Sequence, residues 1–578
     1  MANSDTRFNS ISTDTQMAQR KSRNPTLWMS ALLGAILTIL VLPAVAILIG
    51  RSVSITNPDA SFGGFTLQHF ARFLTTPDVL TSTYNSIVFA TLSTVVALLF
   101  GGVQAWLVER SNMRLKSLAY LTTIISLGTP YILYVGAWLF LLGRAGPVND
   151  VYRLLTGSRG VMIDVYSMSG MVLIEGFLWS PLVFLLLSST FRVANADLEE
   201  AARMSGANIF QTIWAVSVKM AMPAILALAL FVFIRAIEAF EVPAMVGMPG
   251  GVDVLTTDVY KSIKETIPPD LGYASAYSVV LLLVVGVLLY FYGRLAKNAG
   301  KYSSITGKSF RPRPFDLGSY RWIAEALVLF NFVLLLLLPL LALLWLALQP
   351  FMRAVRLSAF PAMSLDHFRV VFASEYYREL AMNTIVVGVV AATAAIILTF
   401  FVGWLSARRK PGGVLLDQLA TAPLVFPGIV MGVAFLMVFL SIPLPIYGTI
   451  WALAITYTVR YLPYGLRYSY AGILQIHKEL EEAAGVAGAG PLTMLRRIMA
   501  PLLSPALVSG WLFIFLIATK ELAVAALLSG PNSQVVAVGM YDLWVNGQGG
   551  ELAAFGLVWA AVMTCLAFLF YALTKNKA

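Results

Sequence analysis

Long apolar stretches separated by short polar segments dominate the chain from residue 27 onwards. A helix that crosses a bilayer needs about 20 mainly apolar residues, and stretches of this length recur along the whole sequence. They predict an all-α membrane protein with twelve transmembrane helices, at residues 27–50, 84–108, 118–143, 167–190, 220–240, 274–295, 322–349, 382–406, 416–442, 447–471, 502–522 and 553–574.

The weakest of the predicted spans are those interrupted by proline or by an ionisable residue near Pro130, Glu175, Arg460 and Lys520. Such residues are costly in lipid unless a neighbouring helix supplies a partner. We therefore expect these four residues to face the interior of the helix bundle.

An internal duplication organises the chain. Seven residues of the first half recur 298 positions later: Leu67, His69, Phe70, Asn85, Ile87, Val88 and Trp106 return as Leu365, His367, Phe368, Asn383, Ile385, Val386 and Trp404. Each copy holds six spans, an even number, so the copies enter the membrane in the same orientation as two parallel six-helix repeats. We predict a polar N-terminal extension at 1–26, repeats at 27–296 and 321–578, and a linker at 297–320.

Charge predicts the orientation of these repeats. Only 12% of residues are charged and the mean hydropathy is +0.79, yet the formal net charge is +11. Lys and Arg cluster in the N-terminal extension, in alternate loops, in the linker and at the C-terminal end. Since basic residues in short loops favour the cytoplasmic side, both termini and the linker are predicted to be cytoplasmic. The longer segment 350–381 is an exception, because it contains several arginines although it is predicted to lie on the opposite side. Long loops have less influence on membrane orientation than short ones.

A second repeated motif lies between the fourth and fifth span of each half. The first copy contains Glu199, Glu200, Ala201, Ala202 and Gly206, and the second contains Glu481, Glu482, Ala483, Ala484, Gly488 and Pro501. Glu-Ala-Ala favours a helix, the acidic residues suit its N-terminus, and glycine permits a tight turn. Each copy therefore predicts a short helix, a break and a second helix that returns to the membrane, on the predicted cytoplasmic side.

The two loops, at about 191–219 and 477–501, resemble the EAA coupling loop of permease subunits of bacterial type I ABC importers. The second copy fits the family pattern throughout, with Ile498 and Pro501 at its end, whereas the first has Val216 and Lys219 there. The resemblance implies that each loop docks on one subunit of an ABC ATPase dimer, which binds ATP and Mg²⁺. It also implies a bacterial inner-membrane location and a periplasmic or extracellular substrate-binding protein as a partner.

The chain itself is predicted to be no enzyme and to bind no cofactor and no nucleic acid. Gly307, Lys308 and Ser309 resemble the end of a phosphate-binding loop, but Tyr302 stands where its first glycine belongs. The single cysteine, Cys565, excludes an intrachain disulfide and a cysteine-based metal site. ATP hydrolysis is therefore assigned to a separate subunit.

Ionisable residues in the fifth and eleventh spans are the candidates for the translocation pathway. They are Arg235, Glu238, Glu241, Lys520 and Glu521. Symmetry-related Glu241 and Glu521 offer oxygen ligands to a hard cation or orient a cationic solute. The alternative is that Arg235–Glu238 and Lys520–Glu521 are local ion pairs or interfacial anchors. His69 and His367 lack a second His, Asp or Glu at metal-ligand spacing that is present in both copies. An interfacial or capping role is therefore favoured, and no metal site is assigned.

The size and the fused architecture most resemble ferric iron importer permeases, with thiamine and 2-aminoethylphosphonate permeases as close relatives. The resemblance thus implies ferric iron as substrate; alternatives are 2-aminoethylphosphonate, thiamine or a polyamine-like solute. An ion-coupled secondary transporter with twelve spans remains a further alternative, although it has no reason to carry two EAA loops. A membrane enzyme lacks support, because the sequence offers no catalytic constellation.

Overall fold

The computed structural model describes residues 25–56, 62–193, 196–301, 314–353, 355–442 and 445–575. Most of the predicted N-terminal extension and the Gly-Lys-Ser segment of the linker lie outside these residues. The helices of the first half are α1 (Pro25–Ser52), α2 (Gln68–Thr75), α3 (Pro77–Arg110), α4 (Lys116–Gly128), α5 (Tyr131–Leu142), α6 (Pro147–Thr156), α7 (Met168–Val193), α8 (Ala196–Met204), α9 (Ile209–Ile237), α10 (Leu255–Lys264) and α11 (Leu271–Lys301).

The second half repeats this order. Its helices are α12 (Gly318–Leu348), α13 (Asp366–Ala373), α14 (Glu375–Ala407), α15 (Gly413–Thr421), α16 (Gly428–Ser441), α17 (Ile450–Gln475), α18 (Lys478–Val486), α19 (Pro491–Ala518), α20 (Ala525–Leu528), α21 (Val536–Val545) and α22 (Gly549–Lys575). The described fold is helical apart from a two-stranded antiparallel sheet of β1 (Ser54–Thr56) and β2 (Phe62–Phe65). Helix α6 has no counterpart among the described residues of the second half, and it lengthens the connection after the third span.

The described residues contain ten helices that are long and apolar enough to cross a membrane, or eleven if the bent pair that includes α15 and α16 is one span. Helix α17 is 26 residues long but is not among them. It carries Arg460, Arg467 and five tyrosines, which lower its mean hydropathy. The all-helical class is confirmed, and the number of twelve spans stays a prediction.

The third span of each half, predicted at 118–143 and 416–442, is divided into two helices in the structure. The first is broken between α4 and α5, where Pro130 precedes the new helix. The second is broken at Pro427, where the helix axis bends by 110° between its two parts. Proline removes a backbone donor and obstructs the preceding helical turn, so each break exposes carbonyl groups inside the bundle.

The second and fourth spans of each half form the most extensive helix pairs, α3 with α7 and α14 with α17. Small residues allow this approach: a Cβ on Gly101 or Gly176 of the first pair, or on Gly465 of the second, would clash with the partner helix. The first span of each half, in contrast, reaches the other half. Helix α1 packs on α15 and α16, while α12 packs on α4 and α5.

His69 and His367 occupy equivalent structural positions. Nε2 of His69 lies 3.1 Å from the carbonyl oxygen of Ser54, and Nε2 of His367 lies 3.0 Å from that of Gln349. Each ring also packs against a glycine at the start of the last span, Gly272 or Gly550. Because a carbonyl oxygen can only accept a hydrogen bond, each Nε2 is the donor. Through this bond and the packing against glycine, each histidine connects the end of the first span to the start of the sixth.

Replacing Gly550 by alanine should destabilise the protein by about 1–3 kcal/mol, because the new methyl group would overlap the ring of His367. The thermal unfolding midpoint of the purified protein in detergent measures this effect. Gly549→Ala is the matched control, since a Cβ there meets no atom within 4 Å. Equal midpoints for the two variants would contradict the proposed packing, and His367→Ala in the Gly550→Ala background should recover part of the loss.

Candidate functional site

The two EAA loops form helical hairpins of the same design. Helix α8 ends at a turn in which Gly206 has φ of +87°, and α18 ends at Gly488 with φ of +82°. The backbone N–H groups of Ala207 and Ala489 close each turn on carbonyl oxygens five residues earlier, at 3.0 and 2.9 Å. Positive φ favours glycine, and this turn is the usual glycine stop of a helix. The predicted helix, break and second helix are confirmed in both copies.

One face of each hairpin is exposed. Glu200 and Ala201 of the first copy and Glu482 and Ala483 of the second point to solvent, while Ala484 is buried. The structure adds large exposed apolar side chains that the motif does not include, at equivalent positions 282 apart: Leu198, Met204 and Phe210, and Leu480, Val486 and Leu492. Exposed apolar groups beside carboxylates suit a protein-binding surface.

Glu199 and Glu481 do not belong to this exposed face. The carboxylate of Glu199 lies 2.5 Å from Nη2 of Arg110, and that of Glu481 lies 2.6 Å from Nε of Arg408. These side chains are at most 12% exposed. The sequence prediction grouped both glutamates with the partner-docking residues. Their coupling role stays a prediction, and in the structure their carboxylates tie each short helix to the end of the second span.

Beyond each glycine turn, the chain enters the fifth span through a π-helical turn. These turns are Ile213–Ser217 in α9 and Leu495–Met499 in α19, again 282 positions apart. Pro501 follows the second turn and the exposed Lys219 follows the first. Because the same π-helical turn forms in both copies, the presence of Lys219 in place of a proline does not alter this turn in the first hairpin.

All five predicted pathway residues line one cavity of about 480 Å³ between the halves. Glu175 and Arg460 line it as well, whereas Arg467 is exposed elsewhere on α17. Aromatic residues complete the wall, among them Tyr131, Trp179, Tyr461 and Tyr464. The cavity therefore combines four carboxyl groups and three basic groups with several aromatic rings.

The ion pairs in this cavity agree only in part with the sequence prediction. Arg235 and Glu238 do form a local pair, with Nη1 and Oε2 2.6 Å apart. Lys520 and Glu521 do not pair with each other: Glu521 accepts from Nε of Arg460 at 3.0 Å and from the hydroxyl of Tyr461 at 3.0 Å.

The two symmetry-related glutamates differ in their partners. Within the described part of the chain, no basic group lies within ion-pair distance of Glu241, whereas Glu521 is held by Arg460. The two carboxylates are therefore unequal, and Glu241 is the one left facing the cavity without a basic partner.

Basic side chains cap both breaks in the third spans. Nζ of Lys520 lies 2.8 Å from the carbonyl oxygen of Leu127 at the end of α4, and Nη1 of Arg460 lies 3.3 Å from that of Phe426. The C-terminal end of a helix carries partial negative charge that favours a cation. Lys520 thereby connects the second half to the first half across the cavity wall, while Arg460 acts within the second half.

Comparison with known proteins identifies the architecture. The family model for the binding-protein-dependent transport system inner membrane component matches residues 97–299 and, a second time, residues 395–576. The two matches cover more than half of the chain and contain both hairpins. The chain belongs to this family. It is thus a two-repeat permease of the inner membrane, and the family assignment replaces the alternative of a secondary transporter.

Curated permeases similar to this one transport different solutes. The Ferric transport system permease protein FbpB of Actinobacillus pleuropneumoniae is 25% identical over 497 residues, which are 84% of this chain and 70% of that protein. The Spermidine/putrescine transport system permease protein PotC of Haemophilus influenzae is 26% identical over 219 residues, 37% of this chain and 83% of its own. The Spermidine/putrescine transport system permease protein PotB of Salmonella typhimurium is 27% identical over 259 residues, which are 44% of this chain and 88% of that protein.

Sequence reasoning located the ionisable residues of the permease but not their partners. Spacing along two helices gives no information about which helix lies opposite, so the Arg460–Glu521 pair was not foreseen. In the described part of the permease, no three His, Cys, Asp or Glu side chains converge as a metal site. The cavity groups are therefore best described as a charged and aromatic lining.

Proposed function

We propose that this permease forms the translocation pathway of an ABC importer and couples it to a separate ATPase dimer through the two hairpins. The observation that carries the proposal is the pair of equivalent hairpins, each with exposed acidic and apolar side chains and a buried ion pair to the second span. Twelve spans, cytoplasmic termini, ATP and Mg²⁺ in the ATPase, and a substrate-binding protein on the opposite side complete the proposal.

Ferric iron is the substrate we propose. The relative from Actinobacillus pleuropneumoniae that matches across most of both chains is described as a ferric transport permease, and Fe³⁺, a hard cation, prefers oxygen ligands such as carboxylates. Glu241 and Glu175 line the cavity, and neither has a basic partner within ion-pair distance among the described residues. These carboxylates suit a cation in transit.

A polyamine is the second candidate, favoured by the aromatic wall of the cavity. Arg235 already stacks over the ring of Trp179 at 5.4 Å, and an organic ammonium is attracted to such a ring in the same way. An anionic phosphonate has less support, because Arg235 and Arg460 are each paired with a glutamate. Uptake of radioactive ferric iron, putrescine and 2-aminoethylphosphonate by proteoliposomes holding the complete transporter separates the three substrates.

Replacing Gly488 by valine should weaken ATPase binding or uncouple hydrolysis from uptake. A β-branched residue at φ of +82° costs about 1–2 kcal/mol, so the second hairpin would lose its turn. Glu482→Ala should add to the effect by removing an exposed carboxylate. The measurements are ATPase co-purification and substrate-stimulated hydrolysis in proteoliposomes.

Gly485→Ala is the matched control for this experiment. Gly485 lies in the same helix α18, has no positive φ and has open space around its Cβ position, so alanine there should leave coupling unchanged. Substrate-stimulated hydrolysis at the wild-type level in the Glu482→Ala, Gly488→Val double variant would contradict the proposed coupling role of the hairpin.

A further inference from the structure

The end of the linker lies against the first hairpin. The backbone N–H of Phe315 donates to the carbonyl oxygen of Arg110 at 2.6 Å, and the N–H of Asn112 donates to the carbonyl oxygen of Phe315 at 3.1 Å. These bonds form a short parallel bridge between Ser111 and Phe315. The segment 314–318, which leads into α12 of the second repeat, is thus fixed to the end of α3 in the first repeat.

The side chain of Phe315 extends this contact to the coupling helix. The ring is 5% exposed and packs edge-on against Trp106 of α3, with centroids 5.9 Å apart. The guanidinium of Arg203, on α8, lies 4.5 Å from the centre of the same ring. One aromatic side chain of the linker therefore contacts both the second span and the helix that carries the EAA motif.

Asp316 and Leu317 hold the segment in place beside Phe315. The Asp316 carboxylate accepts from Nδ2 of Asn112 at 2.7 Å and from the N–H of Gly318 at 3.0 Å, and the N–H of Leu317 donates to the Asn112 side chain at 3.3 Å. The hydrogen bond from the N–H of Gly318 makes the largest contribution to lowering the pKa of Asp316, and the bond from Asn112 lowers it further. The carboxylate is therefore ionised at neutral pH and keeps both bonds.

The second hairpin differs at the equivalent positions. Gly485 stands where the first hairpin has Arg203, and Lys410 stands after α14 where Asn112 follows α3. Arg110, whose carbonyl oxygen binds Phe315, also carries the buried ion pair to Glu199. The first coupling helix, the end of α3 and the start of α12 consequently meet at one cluster of residues, and the sequence does not support the same cluster in the second hairpin.

From this cluster we propose that the linker segment 314–318, with Phe315 and Arg203 as positioning residues, clamps the first coupling helix and links its movement to α12 of the second repeat. The proposal rests on the proposed coupling function and goes beyond it. The clamp makes the two hairpins unequal: displacement of the first moves both repeats, whereas the second is tied to its own repeat through Arg408.

Arg203→Ala and Phe315→Leu test the clamp in the complete transporter. Leucine keeps an apolar side chain in the buried position but removes the aromatic ring, and Arg203 is exposed, so folding should persist in both. The readout is substrate taken up per ATP hydrolysed in proteoliposomes. An exposed cation–π contact is worth about 0.5–1 kcal/mol, so we expect the ratio to fall roughly two- to fivefold in each variant.

Phe315→Tyr should keep the wild-type ratio of substrate taken up per ATP hydrolysed, because tyrosine retains the aromatic ring. Arg294→Ala is the matched control, because Arg294 stacks at 4.8 Å over Tyr290 of the same helix α11. The variant loses a charge and a contact with an aromatic ring, but that contact does not join two separate segments of the chain. Its ratio should equal that of the wild type.

Wild-type ratios in both Arg203→Ala and Phe315→Leu would overturn the clamp. A loss in Arg203→Ala alone would also overturn it, since it would assign Arg203 to direct ATPase contact, and so would an equal loss in Phe315→Tyr and Phe315→Leu. If instead the wild-type complex shows no substrate-stimulated hydrolysis, the proposed function itself fails, and the clamp fails with it.

Discussion

Glu481→Ala should abolish coupled transport and sharply reduce the amount of folded protein. The change leaves Arg408, 6% exposed, without its carboxylate, and the indole N–H of Trp404 loses an acceptor at 3.0 Å. Removing one partner of a buried ion pair costs about 3–5 kcal/mol because the remaining charge stays buried. Thermal unfolding of the purified protein, together with uptake in proteoliposomes, measures both losses.

Two further variants give this experiment its control. Glu482→Ala removes the neighbouring carboxylate, which is exposed, so stability should be unchanged while coupling is impaired. Arg408→Met with Glu481→Met replaces the whole ion pair by apolar groups and should regain most of the stability. If Glu481→Ala unfolds at the wild-type midpoint, the inward orientation of Glu481 is wrong.

Glu521→Ala should have a comparable effect inside the cavity. Its carboxylate accepts from Arg460 and Tyr461, each at 3.0 Å, and from the N–H of Val524 at 3.3 Å. Alanine leaves a guanidinium without its counter-charge between the two repeats, at a cost of about 3–5 kcal/mol. We expect poor accumulation in the membrane, a lowered unfolding midpoint and no measurable uptake.

Glu241→Gln is the symmetry-matched comparison, because Glu241 has no basic partner within ion-pair distance among the described residues. It should fold and unfold like the wild type, and yet transport a cationic substrate more slowly. The opposite pattern, a stable Glu521→Ala with normal uptake and an unstable Glu241→Gln, would reverse the roles assigned to the two carboxylates.

The sequence predicted features that depend on local periodicity and on repetition. The two hairpins follow from Glu-Ala-Ala and from the glycines at 206 and 488, since helix propensity and positive φ are local properties. The candidate pathway residues in the fifth and eleventh spans were selected because charges in apolar segments are costly. In the structure all five line one cavity, and their role in translocation stays a prediction.

Features that depend on which segments meet in space were missed. Glu199 and Glu200 are adjacent in the same motif, and only packing against α3 turns the first inward and leaves the second exposed. A local ion pair with Glu521 was one of the two alternatives for Lys520. In the structure Lys520 instead donates to carbonyl oxygens of Leu127 and Thr129, at a helix break within a stretch that hydropathy alone reads as one span. Phe315 carried no sequence signal, because an aromatic residue in a polar linker has no characteristic pattern.

The crossed packing of α1 and α12 has a consequence for how such a protein can evolve. Because both repeats belong to one polypeptide, each copy always meets the other and never a second version of itself. A mutation therefore has to fit only one of the two environments, whereas in a homodimer it would have to fit both. Features found in one copy only, such as the contact of Lys520 with the end of α4 or the aromatic linker residue beside one hairpin, can then be retained by selection. The two repeats are free to specialise while the shared frame of the bundle is kept.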